Sequence, residues 1–179
     1  MKSKITDIKP HPINDQIYTT TDLTDLKNSI KVNGQLEPIV VNKENTIISG
    51  HRRYFSMIQL GFKECEIRIV DHENELISLI EYNQQRKKTA TDLSNEIKIL
   101  EEEYKKKGLG QGKRNDMKGS SSQKIYIDMT NRLGIGLSKM KQLKSINHYE
   151  PQLLKQIDSG ELSVSKAYSI IRSKYMKPK

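Results

Sequence analysis

The feature that most constrains this chain is a change of hydrophobic period close to residue 90. Before it, short β-branched runs are separated by helical patterns. Pro38-Ile39-Val40-Val41 and Thr46-Ile47-Ile48 read as two strands joined by a turn at Lys43-Glu44-Asn45, and residues 65–70 alternate as a third strand with Ile67 and Ile69 facing inward. After residue 90, apolar residues recur only at spacings of three and four, as in Leu93, Ile97, Leu100 and Tyr104. The pattern predicts an α+β chain: a small α/β domain over 1–88 and an all-helical domain over 89–179. A length of 179 residues suits two such small domains.

Helices between the strands follow from their start and stop signals. Asp22 or Thr21 is placed to cap a helix carrying Leu23, Leu26 and Ile30, which Asn33-Gly34 ends. A second helix runs from His51 to Leu60-Gly61, and a third covers 73–87 with Leu76 and Ile80 on one face. The N-terminal stretch around Ile5, Ile8 and Pro10-His11-Pro12 reads as a short strand leaving into a loop. In the second half, helices are expected over 126–132, 137–146, 151–157 and 164–171. Residues 107–123, with Gly108, Gly110, Gly112 and Gly119 followed directly by Ser120-Ser121-Ser122, read as a flexible connection.

Charge is divided as unevenly as period. The chain carries +9 overall, but residues 1–88 hold 13 basic and 12 acidic side chains, against 18 and 10 in 89–179. Within 104–144 there are 11 basic and 2 acidic residues. A basic helical half points to a phosphate backbone as partner. Cys65 is the sole cysteine, so no internal disulfide forms, and a reducing cytoplasm is expected. No apolar run reaches membrane length and no membrane partner is expected. No Cys/His cluster has metal-ligand spacing, and no Walker loop or Ser/His/Asp order is present.

Residues 47–54 read IISGHRRY, a strand running through Ser49-Gly50 directly into a helix. The first N–H groups of a helix lack partners and carry partial positive charge. Arg52 and Arg53 add two guanidinium groups there, so the segment is a candidate anion site. The alternative is a turn glycine followed by arginines paired with carboxylates.

The order Leu26 to Ile30, Gly34, Pro38 to Val41, Ile47-Ile48-Ser49-Gly50-His51-Arg52-Arg53-Tyr54, Leu60-Gly61 and Asn83-Gln84-Gln85-Arg86 resembles the ParB/sulfiredoxin N-terminal domain. In ParB proteins a helix-turn-helix domain follows, and the resemblance extends to about residue 172 on that basis. It implies that Gly50, His51, Arg52 and Arg53 occupy the family's Gly-Glu-Arg-Arg motif, which cradles the triphosphate of CTP, with His51 in place of the Glu as in phage-like members. It implies that Tyr82 to Arg86 occupy the Glu-Asn-x-Gln-Arg motif. Asn83 would then hold Mg²⁺ on the phosphates and Arg86 would touch phosphate. Tyr82 stands in place of the acid, with Glu81 beside it as the catalytic candidate for a weak triphosphatase. Asp15-Gln16-Ile17-Tyr18 stands where the family has Gln-Pro-Arg. CTP, or another nucleoside triphosphate, with Mg²⁺ is the cofactor so implied. Sulfiredoxins place a reactive Cys at the position of Gly50, whereas Cys65 lies on a strand and reads as a small core residue.

Residues 126–146, YIDMTNRLGIGLSKMKQLKSI, read as a helix, a turn at Gly134-Ile135-Gly136 and a second helix. Met129, Leu133, Ile135, Leu137, Met140 and Leu143 sit where a helix-turn-helix buries apolar residues. Ser138, Lys139, Lys141, Gln142 and Lys144 avoid that stripe and are the expected DNA contacts. Gln142 is suited to adenine and the lysines to phosphate or guanine. Lys113 and Arg114 are expected to add phosphate contacts from the preceding connection. The alternative is a structural helix pair inside a bundle. The expected function is a cytoplasmic, nucleoid- or mobile-element-associated ParB-like binder of double-stranded DNA. CTP gates it, and it acts in partition or regulation, as a homodimer and with a partition ATPase. Competing readings are a nuclease or a small-molecule kinase on the same fold.

Overall fold

The computed structural model describes residues 1–18, 22–108 and 120–176. Thr21, Lys113 and Arg114, for which sequence roles were expected, lie outside the described residues. The chain forms two compact units, Met1–Asn83 and Gln84–Lys179. The first is a mixed α/β unit and the second is helical, in keeping with the α+β class. The division falls at 83/84, whereas the sequence placed it at 88/89.

The first unit is built on a five-stranded sheet of order β1-β5-β3-β4-β2. Its strands are β1 (Lys2–Lys4), β2 (Lys9–Pro10), β3 (Ile39–Val41), β4 (Thr46–Ser49) and β5 (Glu64–Ile69). β3 lies antiparallel to β4 and parallel to β5, with Ile39 beside Ile67. The helices are α1 (Asn14–Ile17), α2 (Thr24–Asn33), α3 (His51–Gln59) and α4 (Glu75–Tyr82). Ile5, Ile8, Ile30, Ile39, Val41, Ile47, Met57, Cys65 and Ile67 make a continuous buried cluster. Each such side chain stabilises by roughly 1.5–3 kcal/mol when fully buried. Cys65 is thus a core residue, and its burial pushes the thiol pKa up.

Several local features differ from the sequence reading. Ile69, the last residue of β5, is 45% exposed; only Cys65 and Ile67 of the strand are buried. α4 runs only to Tyr82, where the Asn83 side chain donates to the Leu79 carbonyl (2.8 Å) and closes the helix. Its buried residues are Ile77, Ser78, Leu79 and Ile80, with Leu76 only half-buried. The N-terminal stretch is two short strands around a 3-10 turn at Ile5–Asp7. Asp22 does act at the start of α2: its carboxylate accepts from the Thr24 amide (2.9 Å) and hydroxyl (2.6 Å), and those bonds hold its pKa down. The Gln35 amide substitutes for backbone pairing, accepting from the Glu66 N–H (2.7 Å) and donating to the Glu66 carbonyl (2.8 Å).

The second unit contains α5 (Ala90–Lys106), α6 (Ser120–Leu133), α7 (Leu137–Tyr149), α8 (Gln152–Asp158) and α9 (Val164–Tyr175). α5 opens with a capping box between Thr89 and Asp92. The Asp158 carboxylate, from the end of α8, also accepts from the Ala90 and Thr91 amides. The α5 stripe of Leu93, Ile97, Leu100 and Tyr104 is buried. α7 packs against α5, α8 and α9 through Met140, Leu143 and Ile146, each 0% exposed. Before α5, Lys88 reaches Glu96 at 2.9 Å, and both side chains are shielded (4% and 0% exposed).

Candidate functional site

Gly50 joins β4 to α3 with φ 104°, a left-handed conformation that L side chains rarely adopt. A Cβ built there would lie 3.3 Å from Ile39 Cγ1 and 3.4 Å from Ile39 Cα. The glycine is therefore demanded by close packing on β3 as well as by backbone strain. The side on which a Cβ would stand faces the sheet. The Tyr54 amide closes the first α3 hydrogen bond onto the Gly50 carbonyl (2.9 Å), and Gly50 provides no side-chain cap. The amides of Arg52 and Arg53 are donors of the kind such a helix start leaves over.

The three side chains have different partners. His51 is buried, and its Nε2 accepts from the His11 amide (3.1 Å), so the imidazole braces the loop after β2. His11 in turn accepts at Nδ1 from the Ile13 amide (3.2 Å), and its Nε2 lies 3.7 Å from Glu75. Burial lowers the His11 pKa, and the neighbouring Glu75 only partly opposes this. Arg53 donates to the carbonyls of Glu37 (2.6 Å) and Pro38 (2.9 Å) and lies 3.4 Å from the Glu37 carboxylate. Burial lowers its pKa, with Glu37 opposing. Arg53, expected on phosphate, thus holds the entry to β3. Among the described residues Arg52 makes one side-chain hydrogen bond, to the Asp22 carbonyl (3.0 Å), and a guanidinium has further donors to offer an anion. Asn83 closes the first unit. Arg86 lies in the second, is half-buried and already has a partner. Glu81 is exposed near the end of α4 and also has a partner.

In the second unit, Gly134 (φ 65°) ends α6, and Gly136 precedes α7 in extended conformation. The Ile135 amide returns to the Thr130 carbonyl (3.2 Å) and the Gly134 amide to the Asn131 carbonyl (3.3 Å). Met129 and Leu133 of α6 are buried with Met140 and Leu143 of α7. Leu137, expected inside, is 39% exposed at the first position of α7, whose buried residues are Met140, Leu143 and Ile146.

Ser138, Lys139 and Lys141 are exposed and Gln142 is half-buried. Lys144, expected with them, forms an ion pair with Glu101 of α5 and lies 5.2 Å over the Tyr126 ring. Burial lowers its pKa, but Glu101 and Tyr126 outweigh that, so the ammonium is held charged. A bundle partner fixes it, which spacing along α7 does not reveal. Tyr126 also lies 6.0 Å beneath the Lys141 ammonium. A polar groove of about 420 Å³ runs beside this pair, lined by Ser94, Lys98 and Glu101 with Asn147 and His148.

The comparisons place this architecture. The family model for the ParB N-terminal domain matches residues 2–103. The chain is 35% identical over 109 residues to the Campylobacter jejuni protein named "Probable chromosome-partitioning protein ParB". That match covers 57% of this chain and 39% of the relative, so the chain spans well under half of that protein's length. In three dimensions the chain is similar to a Pnob8-like ParB-N domain (TM-score 0.71, 18% identity), over 98% of this chain and 81% of that one. It is also similar to the C-terminally truncated chromosome-partitioning protein ParB from Caulobacter crescentus complexed to the centromeric parS site (TM-score 0.53, 19% identity), over 97% and 99% of the two chains. At these identities the structural likeness is one of fold. By sequence and by architecture together, the chain belongs to the ParB N-terminal domain family.

Proposed function

We propose that the chain is a nucleotide-gated binder of double-stranded DNA, in which phosphate is held at the start of α3 and DNA is read by the outward face of α7. The observation that carries this reading is the α6–turn–α7 pair. Three fully buried side chains fix α7, and Ser138, Lys139, Lys141 and Gln142 remain on its other faces. A rigid helix with short polar and cationic side chains outward suits entry into the major groove. Lys141 and Lys139 serve phosphate or guanine, and Gln142 and Ser138 serve base edges. Lys144 joins them only by leaving Glu101. The basic excess of the helical half supports the reading, as does the parS complex of the Caulobacter relative.

The donor set at α3 suits a phosphate: the Arg52 amide with the remaining Arg52 N–H groups. His51 and Arg53 act as braces for that set through His11 and through Glu37 and Pro38. CTP with Mg²⁺ is the ligand proposed from the family, supplying a triphosphate that neutralises these donors. The Asn83 amide nitrogen is already engaged with Leu79, so its oxygen is the atom proposed to face Mg²⁺. Arg86 is proposed as a second phosphate contact, and Glu81 as the acid if the nucleotide is hydrolysed. Partition of chromosomal or mobile-element DNA in the cytoplasm, as a homodimer with a partition ATPase, is the biological role proposed with it. Recovery and sequencing of genomic fragments bound by the purified chain tests the DNA half. One strongly enriched site supports it, and uniform recovery at every salt concentration contradicts sequence reading.

A further inference from the structure

The motif Asn83-Gln84-Gln85-Arg86 runs across the boundary of the two units: Asn83 is the last residue of the first and Gln84 the first of the second. The family's pattern leaves the Gln84 position open. Here its side chain lies on the turn that sets α7. The Gln84 Nε2 donates to the Asn131 carbonyl, one of the last four carbonyls of α6, which have no partner inside the helix. The same carbonyl receives the Gly134 amide at 3.3 Å. A Cβ at Gly134 would lie 3.3 Å from Gln84 Cγ and 3.7 Å from its Nε2. Gly134 is thus needed for its left-handed φ and for the room it leaves to Gln84.

We infer that Gln84 is a positioning residue that transmits occupancy of the nucleotide site to the α6–α7 turn, and so to the helix proposed to read DNA. This rests on the function proposed above. One peptide bond separates Gln84 from Asn83, so a ligand that fixes Asn83 restricts the backbone from which Gln84 reaches Asn131. The two states are a turn with the Asn131 carbonyl held by Gln84 and a turn without it. A ligand that favours one state shifts DNA affinity, and DNA shifts nucleotide affinity by the same factor.

The test uses the full chain, labelled for amide NMR, with Mg²⁺ and CTP as the probe. In the wild type, the amides of Gly50 and His51 report binding, and those of Gly134 and Ile135 report the turn. Both sets are expected to shift. In Gln84→Ala the first set still shifts and the second stays in place, and the effect of CTP on DNA affinity falls from about fivefold or more to about one. Gln84→Glu, which keeps the length but loses the donor, is expected to behave like Gln84→Ala. Unaltered amide dispersion elsewhere in both variants shows that the chain is folded. If Gly134 and Ile135 shift equally in wild type and variants, transmission through Gln84 is overturned while the nucleotide site stands. If Gly50 and His51 fail to shift in the wild type, the nucleotide reading falls, and this inference falls with it.

Discussion

The start of α3 and the outward face of α7 carry similar charge and use it differently. At α3, Arg53 is turned onto two carbonyls and a carboxylate, and Arg52 donates to the Asp22 carbonyl. At α7, Lys139 and Lys141 are exposed, and Lys144 is drawn to the bundle by Glu101. The contrast teaches that a cation's role follows its desolvation. A partly buried guanidinium needs acceptors and becomes part of the scaffold, whereas an exposed ammonium costs the fold little and stays available to a polyanion.

The sharpest way to press that contrast is to remove a cation that is wholly inside. Lys88 and Glu96 are an ion pair with almost no solvent access. Lys88→Ala takes an ammonium away from a buried carboxylate and should cost about 3–5 kcal/mol in denaturant unfolding. A loss below about 1 kcal/mol would show that the pair is wetter than its geometry indicates. Arg53→Ala comes next. It strips donors from the Glu37 and Pro38 carbonyls and should destabilise the first unit by about 1–3 kcal/mol, read in the same experiment. Arg53→Lys should recover only part of this, because an ammonium cannot span both carbonyls with a planar fork.

These partners mark where the sequence stops being readable. β3, β4, the Gly50 turn and the α5 stripe follow from period and from turn chemistry, which act over a few residues. The helix pair around Gly134 follows in the same way, since one left-handed position and two apolar stripes specify it. The Arg53 acceptors lie 15 and 16 residues away, and Lys144 finds Glu101 on another helix. Long flexible side chains choose such partners only once the fold exists. α1 escaped notice because Asn14–Ile17 is a single turn with no period to detect. The end of α4 depended on one Asn83–Leu79 bond that composition does not announce.

A smaller effect concerns His11. Its folded-state pKa lies below the ordinary value of 6.5, because burial disfavours the charged ring more than Glu75 favours it. Below pH 6.5 the unfolded chain takes up a proton that the folded chain resists. Stability should therefore be complete above 6.5 and fall as pH drops from there toward the folded pKa. His11→Gln should flatten that segment of a stability–pH curve measured by urea unfolding. An unchanged slope would assign it to other groups.

In the proposed function DNA is read by the outward face of α7 and not by cations in general. Fluorescence anisotropy of a labelled duplex carrying the most enriched genomic site measures this directly. The chains compared are the wild type, Lys141→Ala, Gln142→Ala and Lys31→Ala, the last removing an exposed cation of α2. The account predicts losses of about 1–3 kcal/mol for Lys141→Ala and Gln142→Ala, while Lys31→Ala stays within about 0.5 kcal/mol of wild type. Equal losses for Lys31→Ala and Lys141→Ala, or none for either α7 variant, would contradict it.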